Sequence, residues 1–126
     1  MSTPQKTQSS QTPKVFNMLG DGTYYYNYDI QSNEITVIDP KTKETSVETI
    51  FSFIPIMLRG IPEYKYLVQA VIRAYLTQNE EFDLINSYNK AILLGQTEGK
   101  DITDYKEYLT LIDTIKANIK KDLNII

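Results

Sequence analysis

The chain has 126 residues, 41% apolar and 23% charged, with ten Tyr and no Trp, His or Cys. That length and composition suit one globular domain and exclude a disordered or collagen-like chain. Without His or Cys there is no Ser-His-Asp triad, Cys nucleophile, zinc finger, disulfide framework or His- or Cys-held haem, so no cofactor or metal is expected.

Thirteen basic residues, only Arg59 and Arg73 being Arg, stand against sixteen acidic ones for a net charge of -3. Gripping a duplex needs a basic stripe that neutralises several phosphates at once, so nucleic acid is not an expected partner. The most apolar run, Ile50 to Leu58, falls far short of the roughly 20 residues of a spanning helix. Met1 to Lys14 lacks the apolar core of a secretory signal. A soluble chain with no membrane partner is expected.

Residues 1 to 14, MSTPQKTQSSQTPK, carry no apolar side chain after Met1 and hold Lys6 and Lys14 as their only charges. They cannot bury enough surface to offset the entropy of ordering, and read as a flexible arm that could tether to a partner. Val15 to Leu19 is short and apolar, and Gly20-Asp21-Gly22 comes next as a turn. Thr23-Tyr-Tyr-Tyr-Asn-Tyr-Asp-Ile30 and Glu34-Ile-Thr-Val-Ile38 flank a polar break. Aromatic and β-branched runs of this kind predict a β-hairpin over about 23 to 39. A two-residue loop at Ser32-Asn33 would pair Ile30 with Ile35 and put Tyr24, Tyr26, Tyr28, Ile30, Ile35 and Val37 on one face. Tyr25, Asn27, Asp29, Thr36 and Ile38 would take the other.

Asp39-Pro40-Lys41-Thr42 reads as a turn. Thr45-x-x-Glu48 ahead of Ile50, Phe51, Phe53 and Ile54 has the form of a capping box, predicting a helix over about 46 to 58 that kinks or ends at Pro55. Tyr64, Leu67, Val68, Val71, Ile72, Tyr75 and Leu76 recur at helical spacing and predict a helix over about 62 to 78, with Pro62 in its first turn. Asn79 is placed to cap a helix over about 80 to 94 that Gly95 terminates. Asp101 is placed to cap a last helix over about 102 to 122, with Lys116, Lys120 and Lys121 toward its negative end. Residues 15 to 126 thus read as a single α+β domain: a Tyr-rich hairpin packed with three or four helices.

Acid-base chemistry would fall to carboxylates, Lys or Tyr. Asp21, Asp29, Asp101 and Asp104 are scattered, and the last two are explained as helix-start residues. No phosphate loop or calcium loop continues from Gly20-Asp21-Gly22. No catalytic residue is assigned, and a non-enzyme is expected. The tyrosines are contact-making side chains of the kind enriched in interfaces. Tyr24, Tyr25, Tyr26 and Tyr28, with Lys6 and Lys14 of the arm, are the candidate protein-interaction residues. Tyr24, Tyr26 and Tyr28 could equally pack against the chain's own helices, which leaves Tyr25 as the exposed contact.

Ile, Lys, Asn, Tyr and Phe number 49 against 16 for Gly, Ala, Arg and Pro, the skew of an AT-rich genome. With the arm STPQKTQSSQTPK and the stretch TYYYNYDI, the whole chain resembles in style the small virion proteins of tailed phages, above all the crAss-like phages of gut Bacteroidetes. The resemblance rests on no diagnostic motif and carries over no site residues. It implies a head-associated, connector or fibre-anchoring component, present in many copies and bound to other protein subunits in the virion. The alternative is a small protein-binding regulator or inhibitor in the cytoplasm.

Overall fold

Between Thr45 and Arg59 the residues Ile50, Ile54, Ile56 and Leu58 fall at even positions, with Phe51 and Phe53 alternating against them. Period-two apolar spacing with many β-branched side chains favours a strand. In the computed structural model, which describes residues 3–124, this segment is a 15-residue strand. The first two residues of the expected arm lie outside the described ones. The order of elements is β1 (Thr7–Ser9), β2 (Phe16–Met18), β3 (Thr23–Ile38), β4 (Thr45–Arg59), α1 (Tyr64–Tyr75), α2 (Gln78–Leu93) and α3 (Lys100–Leu123). The protein is α+β, and its chain divides into a β unit, Gln5–Pro62, and a helical unit beginning at Glu63.

The four strands form one antiparallel sheet in the order β1-β4-β3-β2. Three expected elements are corrected here. The helix expected over 46 to 58 is β4, because its pairing along the whole of β3 and the alternation from Ile54 to Leu58 outweigh the capping-box pattern. The hairpin is not closed at Ser32-Asn33: β3 runs unbroken from Thr23 to Ile38 and pairs with β4, Tyr24 opposite Leu58 and Ile38 opposite Thr45. The arm is not wholly without structure, since Thr7–Ser9 adds β1 to β4 with Thr7 opposite Phe53. Residues 15 to 62 fall in the β unit, and the three helices form the other compact unit.

The expected sharing of a face nonetheless persists. Register shifts between Tyr28 and Gln31, where Asp29 adopts φ 57°. One extra residue on β3 inverts the parity of the positions after it. Tyr24, Tyr26 and Tyr28 therefore lie on the same face as Ile35 and Val37, in a single strand.

Pro55 is tolerated for a reason that the ladder makes explicit. The Asn27 backbone N–H donates to the Val15 carbonyl at 2.9 Å, so Asn27 turns its backbone toward β2. Its partner Pro55 then directs its nitrogen away from β3, and no β3–β4 hydrogen bond is lost. That nitrogen lies on the outer edge of β4, two residues beyond the Phe53 position where β1 pairing stops. Asp39 closes the β3–β4 turn as expected: its N–H donates to the Glu44 carbonyl at 2.9 Å and its carboxylate accepts from the Lys41 N–H at 2.8 Å.

In the helical unit α3 lies against both α1 and α2. Leu67, Val68, Val71 and Ile72 of α1 are buried, as the 3-4 spacing requires, and so are Ile102, Tyr108, Ile115 and Ile119 of α3. Two caps differ from expectation. Thr77, not Asn79, caps α2: its hydroxyl accepts from the Glu80 N–H at 3.1 Å while the Glu80 carboxylate accepts from the Thr77 N–H at 3.2 Å. Gly99, not Asp101, precedes α3, with Asp101 in the first turn.

One polar link ties the three helices together. Glu81 accepts from Arg73 Nη2 at 2.6 Å and from the Tyr108 hydroxyl at 2.5 Å, and Tyr88 stacks on Tyr105 at 4.1 Å beside it. Burial pushes the Glu81 carboxyl up, but the Tyr108 and Arg73 hydrogen bonds outweigh it and hold the group below its ordinary value of 4.5. Burial, and then the hydrogen bond to Glu81, push the Tyr108 phenol up. Replacing Tyr108→Phe removes one hydrogen bond to an ionised acceptor and should cost about 2 kcal/mol in chemical denaturation of the helical unit. A depressed carboxylate stabilises above its unfolded value and loses that contribution as pH falls through the folded one. The wild-type helices should therefore lose stability as pH drops below 4.5, and Tyr108→Phe should show a shallower loss over the same range.

Candidate interaction surface

β1 and β2 are consecutive in the chain yet occupy opposite edges of the sheet. Residues 10–15 must cross three inter-strand steps, roughly 14 Å, which six extended residues can span. They cross on the face that carries Tyr25, Asn27, Phe53 and Pro55 and form a strap over it. The Asn27 side chain, buried in the sheet, donates from Nδ2 to the Lys14 carbonyl at 2.7 Å, and its backbone N–H holds Val15. Beneath and beside the strap lies an open cleft of about 490 Å³, lined among others by Lys14, Asn17, Tyr25, Asn27 and Phe53.

The opposite face holds the other tyrosines. Tyr24, Tyr26 and Tyr28 are 0%, 0% and 1% exposed. Phe16 of β2 stacks on Tyr26 at 5.0 Å and meets Tyr24 edge-on at 6.3 Å, and Tyr26 meets Tyr28 edge-on at 5.9 Å. These three side chains serve as core, and a partner would not reach them without the chain opening. Tyr25 is half-buried and faces the cleft. Lys14 lies in the strap, and Lys6 approaches the Asp29 carboxylate of the β3 bulge at 3.9 Å, a long, partly exposed pair that contributes little. The candidate set thus divides: Tyr25 and Lys14 share the cleft, Lys6 lies at the bulge, and Tyr24, Tyr26 and Tyr28 are behind the sheet.

Beyond the short edge strands, β3 and β4 continue as a two-stranded ribbon, from Asn33 opposite Ile50 to Ile38 opposite Thr45. Its faces are largely open to solvent: Ile35 is 39%, Ile38 63% and Val47 65% exposed. A two-stranded ribbon of polar and β-branched residues gains little from burying its own surface. The sequence alone hides this element, because Glu34–Ile38 reads as half of a local hairpin and Thr45–Thr49 as a helix start. The run of β-branched residues Ile35–Ile38, resumed beyond Asp39-Pro40 by Thr45, Val47 and Thr49, is the signal that could find it.

The carboxylates considered for catalysis have structural work. Asp21 accepts from the Thr23 N–H at 3.0 Å in a turn flanked by Gly20 and Gly22, with φ of +85° and +86°. Asp29 sits at the bulge, and Gln31 Nε2 donates to it at 3.2 Å. Asp104 pairs with Lys100 one turn away on α3, and Asp101 lines the same shallow hollow beside α2. Among the described residues no group of three or more side chains could hold a metal ion, and no helix is long and apolar enough to cross a membrane.

Asn27→Ala should release the strap while leaving the β3–β4 ladder intact. Amide exchange at β1 should accelerate by up to about tenfold, the loss of one buried hydrogen bond, with Ile54 and Ile56 unchanged. No protein-family model matches the chain, and no curated protein or solved structure matches it either.

Proposed function

We propose that the protein is a non-enzymatic assembly component that binds neighbouring protein subunits through its β3–β4 ribbon, with the strap and the Tyr25 cleft as a second contact. The observation that carries this reading is the ribbon itself. It extends the longest pairing in the chain past both edge strands and presents Ile35, Ile38 and Val47 to solvent. A projecting element of this kind costs ordering entropy and returns little burial within its own unit. A partner surface supplies the missing burial.

The setting implied by the resemblance to small phage virion proteins is a particle in which many copies contact one another or a neighbouring protein. Tyr24, Tyr26 and Tyr28 have no part in these contacts.

The test is a register-preserving excision of Glu34–Val37 and Ser46–Thr49, four paired positions that leave the turn and the sheet base in place. The shortened protein should unfold with the same helical and sheet signals, and its incorporation into the native particle should fall by roughly tenfold or more. Full incorporation of the shortened protein would overturn the assignment.

A further inference from the structure

The outer edge of β3 beyond Asn27 is free of any described strand, since β2 pairs only with Tyr24 to Tyr26 and Val15 reaches Asn27. The ladder fixes which backbone groups lie on that edge. Pro55 and Phe53 turn their backbones away from β3, so the odd positions of β4 do so throughout. Their partners on β3, Ser32 opposite Phe51, Glu34 opposite Thr49, Thr36 opposite Val47 and Ile38 opposite Thr45, therefore direct N–H and C=O outward from the other side. Gln31, Asn33, Ile35 and Val37 direct theirs to β4.

An edge strand rich in Ile, Thr and Val is a template for another strand unless Lys, Pro or a bulge interrupts it. Pro55 does this for β4, and the bulge at Asp29 lies before the open segment of β3. From Ser32 to Ile38 nothing interrupts.

Resting on the assembly reading above, we propose that the partner of this edge is β3 of a second copy of the chain, paired antiparallel about a two-fold axis at Thr36. Of the symmetric registers that align the outward groups, the one centred on Thr36 sets Ile35 opposite Val37 on both sides of the axis. With Thr36 opposite Thr36 of the second copy, Glu34 meets Ile38 and Ile35 meets Val37, and the outward groups of Glu34, Thr36 and Ile38 all bond. Moving the axis to Glu34 sets two carboxylates directly opposite each other, which destabilises a sheet. Moving it to Ile38 sets Pro40, which has no N–H, opposite Thr36. A centre on Val37 sets Pro40 opposite Glu34, and a centre on Ile35, which also aligns the outward groups, sets Ile38 opposite Ser32 and Val37 opposite Asn33 rather than Ile35 opposite Val37. The result joins two ribbons into a four-stranded sheet and covers Ile35, Val37 and Ile38. One strand pair buries less than the roughly 1,200 Å² of a stable standalone interface, so the contact is weak between two free chains and gains strength where many copies repeat it.

Sedimentation equilibrium on the full chain up to its solubility limit tests the proposal. Reversible association toward twice the 14.5 kDa chain mass is expected. Thr36→Pro removes an outward N–H and no ribbon bond, as Pro55 does in β4, and should weaken association by roughly tenfold or more. Thr49→Pro, which blocks the other edge, should leave it unchanged. Ile38→Glu should weaken association by setting a carboxylate against Glu34 of the second copy, and adding Glu34→Lys should restore it. Because the charge-swapped double variant regains association, a merely unfolded ribbon cannot mimic the result. A chain that stays monomeric throughout, or a dimer indifferent to Thr36→Pro, overturns the proposal. If a monomeric chain still loses particle incorporation on Thr36→Pro, the self-pairing is overturned while the assembly reading stands. If the Thr36-dependent dimer forms but the ribbon excision incorporates fully into particles, the self-pairing is supported and the assembly reading fails.

Discussion

The β unit depends on one interaction, the long antiparallel ladder between β3 and β4. β1 and β2 are three residues each and pair only with these two strands, never with one another. Neither could persist alone, because so short a strand gains too few hydrogen bonds and too little burial to offset its ordering. The same ladder positions the strap, since Asn27 takes its place from Pro55 across the sheet and then holds Lys14 and Val15. It also sets which edge groups of the ribbon point outward.

Two local irregularities let this ladder serve both a core and a projection. The Asp29 bulge changes the parity of β3, which keeps Ile35 and Val37 on the tyrosine side although they are odd-numbered and Tyr24, Tyr26 and Tyr28 are even. Pro55 forfeits an N–H only where β4 has no partner, and so limits how far β1 or a foreign strand could extend along that edge. Between them the sheet has a buried aromatic base, where Phe16 and three tyrosines interlock, and a solvent-facing ribbon whose β-branched residues favour an extended backbone without needing burial.

What the sequence makes legible depends on where the determining interactions lie. The helices are readable because Leu67, Val68, Val71 and Ile72 repeat within one element, and only the caps shift, Thr77 winning over Asn79 because Glu80 completes its box. The shared face of Tyr24, Tyr26 and Tyr28 is readable for the same reason in period two. β4 is ambiguous because Ile50, Phe51, Phe53 and Ile54 satisfy helical spacing over one turn as well as alternation, and only the longer run through Ile56 and Leu58 separates them. β1 is invisible: Thr7, Gln8 and Ser9 carry no apolar pattern, and their pairing is supplied by the β4 backbone. Of the candidate contacts, Tyr25 and Lys14 come together at the cleft, whereas the ribbon emerges only once β3 and β4 are seen as partners.

The ribbon spends one edge of β3 on β4 and, in the reading proposed above, offers the other to a partner. Residue-resolved amide exchange along Gln31–Ile38 tests this most directly. In the isolated chain the expected result is alternation, with Gln31, Asn33, Ile35 and Val37 protected and Ser32, Glu34, Thr36 and Ile38 exchanging freely, the latter set gaining protection on assembly. Uniformly fast exchange across the whole segment, or protection of Glu34, Thr36 and Ile38 already present in the dilute monomer, would contradict it.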